Sequence, residues 1–247
     1  MTRVPLASPD ELEALGLLAR QVAHDFNNFL SSILGYATLL KGKLEAGDPR
    51  HRYAAMIERA GTEAGAAAER LQMFGRIWTM PPSLIPVELA AFQEEVVHIA
   101  EGGPDTICAE VAATRTDAKR RVRVDLRQLR RGVGALTLNA AEAQPKATPP
   151  RVDLRFTVVA ASDLPEKPAA QAHSAEWLRI EVIDHGEGMA PDVVALAARP
   201  GFTTRQGARR QGLGIATAQG FAHAHGGLLE IETELGQGTA ARIWLPL

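Results

Sequence analysis

Between Leu15 and Leu40 an apolar side chain returns every three or four residues, at Leu15, Leu18, Val22, Phe26 or Phe29, Ile33, Tyr36 and Leu40. This spacing lays one continuous apolar stripe along a helix of many turns. Ser8-Pro9-Asp10-Glu11 marks its start: Ser8 can cap, Pro9 is tolerated in the first turn, and the acids complement the helix dipole. The helix is expected to run to about Glu45, where Gly47-Asp48-Pro49 breaks it. A second helix follows from about Arg50 to Ile77 and ends before Met80-Pro81-Pro82. Two long helices joined by a short turn make an antiparallel hairpin. One hairpin cannot enclose the stripe, whereas hairpins from two chains can, so a homodimer closed as a four-helix bundle is expected.

The second helix is rich in small residues, among them Gly61 and Gly65, each costing about 1 kcal/mol against alanine. Close helix approach is expected to compensate. Glu58, Arg59, Glu63, Glu69 and Arg70 interrupt this run and exclude a membrane reading of it.

The chain has 247 residues, room for two modest domains, and the natural division is a hairpin over 1–80 and a second domain over 81–247. Pro81–Pro86 reads as the linker. Beyond it the pattern predicts a helix around Val87–Ile99, strands around Thr106–Ala112 and Arg121–Val124, and a helix from Asp125 to about Ala143. A strand at Val152–Val159, an exposed loop at Ser162–Ser174 and a buried strand at Trp177–Ile183 follow. A short helix (Pro191–Ala197), a helix over Leu213–His225 and strands at Leu228–Thr233 and Thr239–Pro246 complete the set. The fold class is α+β: a helical hairpin followed by an α/β sandwich.

The formal net charge of −2 selects neither nucleic acid nor an anionic membrane as partner. The basic run Lys119, Arg120, Arg121, Arg123, Arg127, Arg130 and Arg131 lacks interleaved aromatics and reads as a solvated face. No stretch approaches the roughly 18 uninterrupted apolar residues of a membrane span, and the N-terminus lacks the apolar run of a signal peptide. A lone cysteine, Cys108, excludes an internal disulfide and fits a reducing compartment; it reads as a small core residue in a strand. A cytoplasmic protein is expected.

Four groups of residues carry chemistry. On the first helix His24 and Asn28 lie one turn apart on one face, with Asp25 about 100° round. A carboxylate beside an imidazole can orient it and make it more basic, which suits a nucleophile; alone, the trio also fits a polar patch on an amphipathic helix. Asn139 and Glu142 share a face near the end of the fourth predicted helix, and an amide oxygen is a suitable hard ligand for Mg2+; alone, capping or solvent exposure explains them as well. Asp184-His185-Gly186-Glu187-Gly188 leaves a buried strand, so a carboxylate can receive a ring amino group while the chain turns tightly around it. Gln211-Gly212-Leu213-Gly214 opens a helix whose N–H groups can hold phosphates. Gly236-Gln237-Gly238-Thr239 reads either as a further member of this ordered set or as a plain hairpin turn, and His98, His173, His223 and His225 receive no role.

His24-Asp25-Phe26-Asn27-Asn28 resembles the H-box of sensor histidine kinases, and the later groups resemble that family's N-box, G1 box, F-box (Phe202-Thr203-Thr204-Arg205) and G2 box, in the family's order. The resemblance covers nearly the whole chain, from about Leu12 to Leu247. It implies His24 as phosphoacceptor, Asp25 as its base and Asn28 as a residue that positions water for dephosphorylation of the partner. It implies a Bergerat-type (GHKL) ATP-binding domain. There Asn139 is the Mg2+ ligand and Asp184 recognises adenine. Glu142, Gly186, Gly188, Phe202, Thr204, Arg205, Gly212, Leu213 and Gly214 complete the nucleotide site. Arg205, Arg209 and Arg210 stand equally as phosphate clamps or as solvated lid residues. The implied activity is that of a protein-histidine kinase that passes phosphate from ATP to a response-regulator receiver domain. No sensory domain fits before the first helix, so the input is expected from another protein or from a feature the sequence does not reveal. The sequence departs from the family at Ala135, at Pro200-Gly201-Phe202 and in the arginine-rich lid, which bears on transfer rate more than on ATP binding. The rival readings are a histidine phosphotransferase with a degenerate ATP domain and a GHKL-type regulatory ATP-binding module.

Overall fold

The striped segment forms one helix, α1 (Pro9–Lys43), and the second helix, α2, spans Pro49–Thr79. The computed structural model describes residues 1–45, 47–102, 110–116, 119–145, 149–165, 174–204 and 211–247. Cys108, His173, Arg205, Arg209 and Arg210, most of the expected Thr106–Ala112 strand and much of the Ser162–Ser174 loop lie outside them. Asp48 caps α2, its carboxylate accepting from the Arg50 N–H at 2.8 Å. Ser8 holds the corresponding place before α1, but its hydroxyl makes no capping bond, contrary to expectation. The proline that follows has no N–H to satisfy and already fixes the first turn.

The two helices meet through their smallest residues. A methyl group on Gly16 would lie 2.8 Å from Trp78 Cβ, one on Gly75 2.6 Å from the Gly16 carbonyl, and one on Gly61 2.7 Å from Leu34 Cδ2. Gly61 thus serves as expected. Gly65 does not, having nothing within 4 Å of such a methyl in the chain. The hairpin closes over Ala19, Ala23, Ala37 and Ala54 and leaves the stripe outside, with Phe26 55%, Phe29 66% and Tyr36 76% exposed.

Beyond the hairpin, β2 (Ile85–Glu88) pairs antiparallel with β4 (Arg121–Val124) as a separate ribbon. The expected linker is therefore shorter than Pro81–Pro86, and the helix expected from Val87 starts later, as α3 (Leu89–Gly102). Val87 faces Val122 across the ribbon, and that pairing overrides helix periodicity. Next come β3 (Glu110–Thr114), α4 (Leu126–Glu142), β5 (Arg151–Ala160) and β6 (Glu176–Asp184). The chain ends with α5 (Pro191–Val194), α6 (Gly214–Ala224), β7 (Leu228–Glu234) and β8 (Gly238–Pro246). Like β2, the strand β1 (Thr2–Arg3), ahead of α1, was not expected; it pairs with β7.

The large sheet runs β1-β7-β8-β6-β5-β3, antiparallel throughout except for β3 beside β5. Its inner face packs on α3, α4 and α6 through residues such as Phe92, Leu129, Val133, Leu154, Ile180 and Phe221. Its outer face carries an ionic ladder in which Arg242 holds Glu181 at 2.9 Å and Glu232 at 2.7 Å. A second cluster, made of Leu12, Ala19, Phe74, Ile77, Trp78 and Ala216, joins the base of the hairpin to α6. Among the described residues no helix is long and apolar enough to cross a membrane.

Candidate functional site

The fold brings three of the four sequence groups, with Phe202 and the Gly236–Thr239 turn, to one end of the second lobe. Asp184 is the last residue of β6 and is 5% exposed. One carboxylate oxygen accepts from the Gly186 N–H at 2.9 Å and the Thr239 N–H at 3.2 Å. Two backbone donors on a buried carboxylate fix its direction and offset the cost of removing it from water. Thr239 lies in the turn for which the sequence left open a plain hairpin or membership of the site. The turn is in fact part of the site: Gly236 N donates to the Glu187 carbonyl at 2.8 Å, and a side chain at Gly238 would strike the Asp184 carbonyl. The Gly-x-Gly-Thr spelling was the only signal for this role. Its partner, 55 residues away, is chosen by the β6–β8 pairing.

The glycines around Asp184 are there because backbone passes where a side chain would stand. A Cβ on Gly186 would lie 2.4 Å from the Ala143 carbonyl at the end of α4. Glu187 N donates to that same carbonyl at 3.1 Å, which locks this loop to the helix carrying Asn139 and Glu142. Gly188 takes φ +63°, and its Cβ would lie 2.0 Å from the Glu234 carbonyl.

Asn139 is exposed on the last turn of α4 and reaches the start of α6, where a Cβ on Gly214 would lie 2.9 Å from its amide nitrogen. Gly212, at φ +65°, backs onto Phe202, and its carbonyl accepts from the Gly201 N–H at 3.0 Å. Leu213 precedes the first residue of α6 and packs against the cluster at the hairpin base. Asn139, Asp184, Gly186, Gly188, Phe202, Gly212, Leu213 and Gly214 are thus linked by direct contacts or through neighbours at one end of the lobe, with Glu142 at the end of α4. Thr204 is exposed, and Arg205 falls outside the described residues. The candidate site combines N–H groups at a helix start, an amide oxygen and a fixed carboxylate. That donor set fits a purine nucleotide with its phosphates and a hard divalent cation.

His24, Asp25 and Asn28 are on the other lobe, all exposed on α1. His24 Nδ1 and Asp25 Oδ1 are 3.2 Å apart, and Gln21 Nε2 donates to the same carboxylate at 3.4 Å. The imidazole is oriented by its neighbour and open to a reactant. No described contact joins it to the cleft.

Two histidines that received no role from sequence are structural. His225 is buried; its Nδ1–H donates to the Phe221 carbonyl at 2.7 Å and its Nε2 accepts from the Asp125 N–H at 2.9 Å. Burial lowers its pKa below the ordinary value. It ties α6 to the start of α4. Burial alone would raise the pKa of Asp125, but the N–H groups of Ser83, Gln128 and Arg127 hold it below the ordinary carboxylate value. His223 stacks on Trp78 at 5.7 Å. The basic run is a solvated face, as expected, except at Arg131, which is half-buried so that desolvation lowers its pKa. Arg120 pairs with Glu176, Arg121 with Glu88 and Arg130 with Glu95, all at the surface.

Residues 124–247 match the family model described as histidine kinase-, DNA gyrase B-, and HSP90-like ATPase. The chain is similar to the sensor kinase CckA of Brucella abortus (strain 2308), at 27% identity over 241 residues, covering 98% of this chain and 25% of that protein. It is similar to the sensor histidine kinase ZraS of Escherichia coli (strain K12), at 26% identity over 239 residues, covering 96% of this chain and 47% of that protein. The crystal structure of full-length ShkA in complex with AMPPNP shares the fold, with a TM-score of 0.65 at 21% identity, over 97% of this chain and 46% of that one. The chain spans a quarter to about half the length of these relatives.

Proposed function

This chain belongs to the family of histidine kinase-, DNA gyrase B- and HSP90-like ATPases, among its sensor histidine kinases, and from that premise we propose that it autophosphorylates His24 from ATP and passes the phosphoryl group to an aspartate of a response-regulator receiver domain. The working division is a phosphotransfer hairpin over 1–80 and an ATP-binding domain over 81–247. The observation that carries the proposal is the contact between Asn139 and Gly214 beside the anchored Asp184, together with an oriented, solvent-facing His24–Asp25 pair.

Each residue then has a task. Asp184 accepts from the adenine amino group. The N–H groups opening α6 at Gly212–Gly214 bind phosphate oxygens. Asn139 would hold Mg2+ through its amide oxygen, with Glu142 beside it; the ion's charge would neutralise the phosphates. Phe202 and Thr204 border the nucleotide, and Arg205 is proposed to take part in binding it. Asp25 faces His24 Nδ1, so Nε2 carries the lone pair that attacks the γ-phosphorus in line. The bond to the leaving ADP oxygen breaks as the N–P bond forms. Asn28, one turn on, positions water when the chain acts as a phosphatase on its partner. The exposed stripe of α1 closes against a second copy, making the homodimer. A nucleotide-consuming chain with one cysteine belongs in the cytoplasm.

Incubation with γ-labelled ATP and Mg2+ tests the reading. Acid-labile, base-stable label is expected on the wild type, absent in His24→Ala, and chased onto a receiver domain. Ala135, where the family usually carries another asparagine, favours the phosphotransferase alternative. That alternative is adopted if the folded wild type neither binds ATP nor takes label, yet accepts phosphate from a phosphorylated receiver.

A further inference from the structure

The segment ahead of α1 is fastened to the far lobe. Thr2 and Arg3 pair with Thr233 and Glu232 on the edge of β7, and Val4 N donates to the Ile231 carbonyl at 2.8 Å. Val4 is 1% exposed and belongs to the core between sheet and helices; Leu6 packs against that core. The Ala7 carbonyl accepts from Gln219 Nε2 of α6 at 2.7 Å. Pro9 then starts α1. Four residues separate Val4 from Pro9, so the anchored strand and the start of α1 lie at most about 17 Å apart. The second crossing, from α2 into β2, is held as well, by Ser83 N donating to the Asp125 carboxylate at 2.9 Å.

Between the two crossings, α6 is pinned on α2. Trp78 Nε1 donates to the Ala216 carbonyl at 3.0 Å, and a Cβ on Gly220 would lie 2.4 Å from Ile77 Cγ2. Higher up, Gln211 Nε2 donates to the Ala67 carbonyl at 3.2 Å. These contacts are made with α2 and the start of α1, while His24 among the described residues bonds only to Asp25 and faces solvent. In-line transfer brings the reacting atoms to about 3–3.5 Å. Among the described residues His24 makes no hydrogen bond to the lobe, so we take transfer to need another pose, which a seated β1 opposes.

We infer that residues 2–7 are a strap that holds the ATP-binding lobe docked on α2 and restrains transfer to His24. The inference rests on the kinase reading above for its catalytic consequence, and on the contacts alone for the docking. Two variants test it. Val4→Asp puts a carboxylate into an apolar core and expels the strap. Arg3→Cys with Glu232→Cys seals it: Val4 and Ile231 form the hydrogen-bonded pair, so Arg3 and Glu232 form the close, non-hydrogen-bonded one, with Cα atoms about 4.5 Å apart and within disulfide reach.

Val4→Asp is expected to speed hydrogen exchange on β7 and on the Trp78-facing side of α6. It is also expected to raise the initial labelling rate roughly tenfold, as the competent fraction rises. The oxidised double-cysteine protein is expected to label several-fold more slowly than the wild type and to recover in dithiothreitol. The inference is overturned if β7 is freed while α6 stays protected, or if the labelling rate falls or stays put in Val4→Asp. A sealed protein that labels like its reduced form overturns it too, and decides the matter should Val4→Asp not fold. A wild type that takes no label sinks the kinase reading instead, and the exchange data then judge the strap alone.

Discussion

Gly186→Ala is the sharpest test of the nucleotide cleft, because the cost can be worked from contacts that cannot rotate away. The new Cβ would stand 2.4 Å from the Ala143 carbonyl oxygen and 2.7 Å from its carbon. Ordinary contact begins near 3.4 Å, so the loop has to lift by about 1 Å from the end of α4. Strain of this kind costs about 1–3 kcal/mol. The shift also loosens two bonds, Glu187 N to Ala143 O and Gly186 N to the Asp184 carboxylate. The second has an ionised acceptor and is worth about 1.5–3 kcal/mol. Since the loop relaxes partly, we take about 2–4 kcal/mol as the loss felt by a ligand that needs Asp184 in place, or roughly 30-fold to 1000-fold in Kd. Titration calorimetry with ATP and Mg2+, beside circular dichroism to establish folding, measures it. A folded Gly186→Ala protein that binds ATP within threefold of the wild type would refute both the fixed-carboxylate argument and the location of the site.

Three further outcomes are expected. Gly134→Ala, inside α4 and with its Cβ in ordinary contact 3.6 Å from Ile99 Cγ2, should raise unfolding free energy by about 0.5–1 kcal/mol in denaturant titrations. Burial keeps the pKa of His225 below its ordinary 6.5, so as pH falls the unfolded chain takes up that proton first. Its contribution to stability is full above about pH 6.5 and is lost as pH drops through the folded-state value; melting curves from pH 8 to 5 should show this slope, and His225→Gln should flatten it. Phe26→Glu with Ile33→Glu, both on the exposed stripe, should give a folded monomer by light scattering, whereas the wild type is expected to run as the proposed dimer; an unchanged dimeric mass would place the dimer contact elsewhere.

Much of the candidate site was legible because its signals are local. Asp184 follows an apolar strand, Gly212–Gly214 opens a helix, and Asn139 and Glu142 lie three apart, so each can be read within a few residues. The stripe was equally plain, as was the need for something outside the single hairpin to cover it. Boundaries failed where a distant partner decides them. Val87 reads as helix in isolation and is a strand because Val122 lies opposite. Gly61 and Gly65 look alike in sequence, but only Gly61 meets a facing side chain.

By itself, then, the sequence settled two long helices, an α/β lobe and the residue types a nucleotide requires, because periodicity and turn chemistry act over short distances along the chain. Only the tertiary structure could place Thr239 on Asp184, seat Val4 in the core of the far lobe and set Trp78 against Ala216. Those choices join residues 55, more than 200 and 138 positions apart. They come from strand pairing and packing between surfaces, and a chain carries no local mark of which of its distant segments will meet.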